Sequence, residues 1–340
     1  MHGRNREDYK AKFRDPKVAA GLEKKAQQWY TLMDALIEAR KADNSKEKDK
    51  RKGTIDLIEK ALLVNPDPLN LWNHRRELLV LEREEMENTD PMLKNELDLT
   101  QAALQRNPKA YGSWFHRKWI LALLQPDSSV LQNELKLTAQ FLTLDERNFH
   151  CWNYRRFVVS ALASCWNGGW ELPSMGPQIG ASVNNSAPSI PQDVLEAEWD
   201  FTHQKIQHNF SNFSAFHYRS QLLPRMIAQK GDEAAILEEE LQVVENAIFT
   251  EPDDQTAWWY HKLLLLEYKF EPSRLEEQAE MLRELLEDSP GKWVLVGLFE
   301  ILSVLGTRKE ERCELLKRLI TLDQDRSTRY RELLEKLESE

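Results

Sequence analysis

The sequence predicts an all-α protein, a curved solenoid of stacked helical hairpins with very little β-structure. Three observations carry that prediction. Five segments align with one another: NPDPLNLWNHRRELL from Asn65, NPKAYGSWFHRKWIL from Asn107, DERNFHCWNYRRFVV from Asp145, NFSNFSAFHYRSQLL from Asn209 and PDDQTAWWYHKLLLL from Pro252. They share a core of an aromatic, any residue, His or Tyr, then a base. The aromatic anchors Trp72, Trp114, Trp152, Phe216 and Trp258 are 42, 38, 64 and 42 residues apart. Self-similarity at such a period marks a repeat architecture. The 340 residues also hold 11 Trp but only 12 Gly, which disfavours a Gly-punctuated β fold and any Gly-rich nucleotide loop.

Each unit has one layout. An amphipathic stretch comes first, as in residues 96–104 or 241–249. A polar break follows, carrying Asn-Pro, Asp-Glu-Arg-Asn or Glu-Pro-Asp-Asp, which places helix-stop and N-cap chemistry back to back. The aromatic-led segment then continues as a second helix, with Trp114, Ile120, Leu121 and Leu124 at helical spacing. One hairpin cannot bury its own apolar face, whereas stacked neighbours bury a continuous core. The expected organisation is a single α-solenoid domain over residues 1–340 with five to seven hairpins. A weaker sixth unit is expected at Trp293, 35 residues after Trp258, although Val294 and Leu295 follow it in place of the motif. Residues 41–52 are almost all charged and read as a solvated interhelical turn. Residues 164–191, rich in Gly, Pro, Ser and Asn, read as a flexible loop inserted between the third and fourth units, with Trp166 and Trp170 pinning one end.

Recurrence separates scaffold from site. The anchors Trp72, Trp114, Trp152, Phe216 and Trp258 are expected to fill the space between the helices of their own hairpin, each indole N–H finding one buried partner. Arg75, Arg117, Arg155 and Arg219, three residues after their anchors, are expected to cap or bridge neighbouring helix ends by bidentate bonds. His74, His116, His217 and His261 read as scaffold for the same reason. A catalytic group has no cause to recur five times, so the turns that differ between units are the better candidates. Those turns are expected to line up along one rim. There Lys109 and His150, from adjacent units, face the same partner or anion.

Other classes are disfavoured. With 46 Lys and Arg against 56 Asp and Glu, the net charge is −10, which argues against nucleic-acid binding. No apolar run is long enough to span a membrane. Three scattered cysteines, Cys151, Cys165 and Cys313, form neither a disulfide framework nor a thiolate zinc site, and point to a reducing cytoplasmic setting. No catalytic triad, paired carboxylates or phosphate loop stands out.

At these residues the chain resembles the protein prenyltransferase α subunits. The start MHGR, the segments NPKAYGSW, DERNFHCWNYRRF, NFSNFSAFHYRS and DDQTAWWYHK, and the late GKW at Gly291 carry the likeness. The resemblance implies a right-handed α–α superhelix, crescent shaped, wrapped around a β subunit that is an α/α barrel. That subunit would hold the catalytic zinc, leaving no cofactor in this chain and no activity in it alone. Within the family the likeness is to the Rab geranylgeranyltransferase branch. Its heterodimer moves geranylgeranyl from geranylgeranyl diphosphate to C-terminal cysteines of Rab GTPases presented by Rab escort protein.

The resemblance also makes Lys109, Tyr111 and His150 candidates for stabilising the leaving diphosphate at the α/β interface, with Phe149 where relatives carry a Tyr. Through the MHGR start, it makes His2 a candidate extra ligand to the β-subunit zinc. Neither an immunoglobulin-like nor a leucine-rich repeat domain is found. The α subunit shared by farnesyltransferase and type I geranylgeranyltransferase fits less well, given the MHGR start and the missing Pro-rich extension. A non-catalytic tetratricopeptide-like scaffold fits poorly, because its period is about 34 residues.

Overall fold

A computed structural model describes residues 15–42, 47–166 and 190–339, excluding the side chains of 164–166. His2 and nearly all of the 164–191 segment, including Trp170 and the side chain of Trp166, therefore lie outside the described residues. Among the described residues the protein forms 15 α-helices and no strand. None of these helices is long and apolar enough to cross a membrane.

The helices gather into two compact units, Met1–Ala181 and Ser182–Glu340. In the first, α1 (Pro16–Lys41) precedes three hairpins. These are α2 (Lys48–Val64) with α3 (Leu69–Glu84), α4 (Asp90–Arg106) with α5 (Tyr111–Leu124), and α6 (Ser128–Leu144) with α7 (Phe149–Trp166). The second unit holds four: α8 (Gln192–His208) with α9 (Phe213–Lys230), α10 (Glu233–Thr250) with α11 (Gln255–Glu267), α12 (Pro272–Asp288) with α13 (Lys292–Leu305), and α14 (Lys309–Leu322) with α15 (Ser327–Ser339).

The anchors behave as their chemistry requires. Trp72 is fully buried, in a core with Ile58, Leu62, Leu78 and Ala103. Its indole N–H donates to the carbonyl of Pro66, six residues back in the hairpin turn, at 2.9 Å. Trp114 repeats the bond to Pro108, Trp152 to Glu146 and Trp258 to Pro252, each at 2.8 Å. In these four hairpins one indole donor thus ties the second helix to its own turn, leaving no orphan N–H. The next hairpin's second helix comes very close to two anchors. A Cβ on Gly112 of α5 would lie 2.4 Å from Cδ1 of Trp72, and one on Gly297 of α13 would lie 2.1 Å from Cζ3 of Trp258.

The arginines do more than join helix ends. Arg75 sits in mid-helix and donates back to the Ile55 carbonyl of α2 at 2.8 Å. It also donates forward to Glu96 of α4, through Nε at 2.7 Å and Nη2 at 2.6 Å. His116 of α5 meets the same carboxylate at 2.9 Å. Arg117, Glu134 and Tyr154 repeat this bridge across α5, α6 and α7, with Arg117 to Glu134 at 2.6 and 2.7 Å and Tyr154 to Glu134 at 2.7 Å. In the second unit Arg219, Glu240 and Tyr260 do the same. Arg155 likewise donates back to the Leu135 carbonyl and Thr138, each at 2.9 Å. The cause is donor count. A guanidinium has five N–H groups, enough for a carbonyl behind and a carboxylate ahead, so it links three helices where a cap would satisfy one end. The last copy is neutral: His261 stands in the Arg place and Gln278 in the Glu place, 3.1 Å apart and both buried.

Two sequence expectations are corrected. The charged run at 41–52 is not a solvated turn throughout. Residues 48–52 open α2, and Arg51 is buried, pairing with Glu82 and Glu85 at 2.6 Å each. The hairpin expected at Trp293 exists, but Trp293 is not its anchor. Leu295, three residues into α13 as Trp258 is into α11, takes the buried place. Trp293 is half-buried, with Lys292 and Arg326 each 5.3 Å from its ring centroid.

Candidate functional site: a cationic rim in the first unit

The turns before α5 and α7 are latched to each other. In the first, Asn107 Oδ1 accepts from the Lys109 N–H at 3.0 Å, an Asx turn that sets the backbone ahead of the helix. In the second, the buried Asn148 accepts from the N–H groups of His150 at 3.1 Å and Cys151 at 3.2 Å, capping α7. The other end of Asn148 reaches across. Its Nδ2 donates at 2.9 Å to the Pro108 carbonyl, which also receives the Trp114 indole. One carbonyl therefore holds both turns in register.

That register gathers the expected residues. Lys109 is half exposed and its Nζ lies 3.1 Å from Asp145 Oδ2. The Tyr111 and His150 rings are 6.0 Å apart, and Phe149 lies 3.9 Å from the His150 ring. Tyr111 and Phe149 are exposed, at 56% and 67%. Partial burial, and then the Lys109 charge, push the His150 pKa below its ordinary 6.5. The rim therefore brings together the Lys109 amine, a His150 imidazole that favours its neutral form and the Tyr111 hydroxyl. These are three donors suited to an oxyanion, whose arrival would compete with Asp145 for Lys109. Asp145 and the Asn148 latch were not singled out from sequence. The Asn before a helix start was the signal for Asn148, and the repeat register, which sets Asp145 where Asn65 and Asn107 stand in their units, was the signal for Asp145.

Behind the rim runs a second set of bases. Arg76 of α3, Lys118 of α5 and Arg156 of α7 each stand four residues after their anchor. Arg76 lies 4.8 Å over the Phe115 ring, and Lys118 lies 5.1 Å from the Phe157 ring centroid. Sequence reading passed over them, although each is the second base of HRR, HRK or YRR.

A helical-hairpin scaffold with a cluster of polar donors on one set of turns defines a class: a helical-repeat protein with a donor-lined rim. The protein prenyltransferase alpha subunit repeat matches at residues 93–124, 131–162, 195–226 and 237–268, so the chain carries four repeats of that family. The four matches cover the hairpins from α4 to α11. The relatives narrow the likeness further. The chain is 29% identical over 175 residues to the geranylgeranyl transferase type-2 subunit alpha of Schizosaccharomyces pombe, covering 42% of this chain and 51% of that one. It is 47% identical over 74 residues to the Homo sapiens subunit of the same name, 20% of this chain and 13% of that one. To the Dictyostelium discoideum subunit it is 30% identical over 126 residues, 35% of this chain and 40% of that one. The chain thus spans about half the length of the fission yeast relative and less of the others. Its fold is also that of a chain in Candida albicans protein geranylgeranyltransferase-I complexed with GGPP, with a TM-score of 0.65, 20% identity, and coverage of 92% and 91%.

Proposed function

We propose that this chain is the α subunit of a type-2, Rab-specific protein geranylgeranyltransferase, working as a heterodimer with a β subunit. The joined turns that set Lys109, Tyr111 and His150 on one rim carry this reading, together with the likeness to type-2 alpha subunits. In the reaction a substrate cysteine sulfur attacks C1 of geranylgeranyl diphosphate. A C–S bond forms, the C–O bond breaks, and diphosphate departs with the electron pair. Zinc on the partner subunit would supply the thiolate. This chain's part is the leaving group. Lys109 supplies positive charge, while His150 and Tyr111 donate hydrogen bonds to the diphosphate oxygens as charge grows there. Rab escort protein and Rab GTPases complete the assembly, in the cytoplasm.

The test is coexpression with a type-2 β subunit, followed by assay of geranylgeranyl transfer to Rab. Activity that needs both the β chain and escort protein supports the proposal. Activity on CaaX peptides alone would move the chain to the shared α subunit of farnesyltransferase and type I geranylgeranyltransferase, and failure to form any complex would overturn it. In the active heterodimer, Lys109→Ala should lower the single-turnover rate more than it lowers isoprenoid affinity, because leaving-group charge is greatest at the transition state. An unchanged single-turnover rate removes Lys109 from the mechanism.

A further inference from the structure

Lys118 is an anomaly in a chain with net charge −10. The residue is 8% exposed. Its ammonium donates to Asn153 Oδ1 at 2.5 Å and lies over Phe157, but among the described residues it pairs with no carboxylate. Burial, and then the neighbouring Arg156, bring its pKa down to about 8. In the preceding hairpin, Arg76 contacts Asn73, the His116 ring nitrogen and the Phe115 face, and forms no ion pair among the described residues. The equivalent place in the second unit shows what a self-sufficient version looks like. Lys262, four residues after Trp258, is ion-paired with Glu300 of α13.

An ammonium has three N–H donors, and Lys118 uses one of them within the chain. Desolvating a charge without a counter-ion is unfavourable, and a chain with 56 acidic side chains had carboxylates to spare. The surroundings suit protein rather than solvent. Tyr111, Phe115 and Lys118 share one face of α5, and Phe149, Asn153, Arg156 and Phe157 share one face of α7. Aromatic rings around a desolvated cation are the composition of an interface centre.

We propose that the row Arg76–Lys118–Arg156 is a docking site for an acidic segment of the partner β subunit, whose carboxylate supplies the counter-charge that this chain withholds from Lys118. The proposal rests on the heterodimer reading above. It assigns the row to subunit assembly, apart from the diphosphate function of Lys109.

The test uses the full chain with a type-2 β subunit and reads the heterodimer Kd at low and high salt, beside the melting temperature of the free chain. Lys118→Met removes the charge and keeps the length. It should weaken assembly by at least about tenfold at low salt and flatten the salt dependence. The same substitution should raise the Tm of the free chain, because it deletes a desolvated charge. Lys118→Arg should restore most of the affinity, and Lys94→Met on the exposed side of α4 should change nothing. A merely structural lysine would lower Tm and affinity together. An unchanged Kd for Lys118→Met, or a loss of affinity for inorganic diphosphate with normal assembly, overturns this inference and leaves the proposed function standing. Failure of the wild-type chain to bind the β subunit overturns both.

Discussion

Glu96 offers the sharpest test of how the hairpins hold together. It is buried, with two bonds from Arg75 and one from His116. Burial alone would raise its pKa, but the bonds from His116 and Arg75 outweigh it and hold the carboxyl at about 2 in place of 4.5. At about 1.4 kcal/mol per tenfold, that difference corresponds to about 3 kcal/mol of stabilisation at neutral pH. An independent route, the loss when one partner of a buried pair is removed, gives about 3–5 kcal/mol. Glu96→Ala should therefore cost about 3–4 kcal/mol at pH 7. Glu96→Gln should cost less, since its amide oxygen still accepts from Arg75 and Glu59 lies 3.3 Å away on the same guanidinium.

The sign with pH follows from linkage. A depressed carboxylate contributes fully above its unfolded pKa of 4.5, and the contribution drains away as pH falls toward 2. His116 adds a second acid-sensitive term. Burial lowers its pKa, so it is neutral in the fold and favours the unfolded state once pH drops below 6.5. Urea unfolding of the wild type and both variants at pH 7, 4 and 3 reads all of this. The gap between wild type and Glu96→Ala should be widest at pH 7 and narrow from pH 4 to pH 3. A loss under about 1 kcal/mol at pH 7, no more than a surface pair is worth, would refute the bridging role. A gap that stays constant to pH 3 would refute the electrostatic account.

Two further substitution sets follow from the packing. Gly112→Ala and Gly297→Ala drive a methyl into Trp72 and Trp258, so each should destabilise by about 1–3 kcal/mol. Gly53→Ala in α2, with nothing within 4 Å, should stabilise by about 0.5–1 kcal/mol; equal melting temperatures for all three would show that the anchors do not need the close approach. The neutral bridge of the second unit should accept the charged one as a pair. His261→Arg alone and Gln278→Glu alone should each destabilise by leaving a buried charge uncompensated, whereas the double variant should recover most of the loss. Additive losses in that double-mutant cycle would show that the two sites are not the equivalents of Arg117 and Glu134.

The anchors were legible because they recur, and recurrence is a local property of a string. The rim residues were legible for the opposite reason: Lys109 and His150 vary between otherwise similar turns. The glutamates that complete the bridges were not. Glu96, Glu134 and Glu240 sit on amphipathic helices among many exposed acids, and their guanidinium partners lie 17 to 21 residues away. Arg51 was misread for the same reason, since a charged run looks solvated until the helix that receives it is known.

By itself, then, the sequence determined the helical hairpins and the indole that fastens each of the motif hairpins but one. Helix periodicity, caps and breaks act over a few residues, so they can be read in order along the chain. Only the tertiary structure decided which charges are neutralised and which are left over. It put Leu295 rather than Trp293 in the anchor place, paired Lys109 with Asp145, and left Lys118 buried with no carboxylate partner among the described residues. Burial and charge pairing depend on what a neighbouring hairpin brings to the same spot, and no local pattern encodes that.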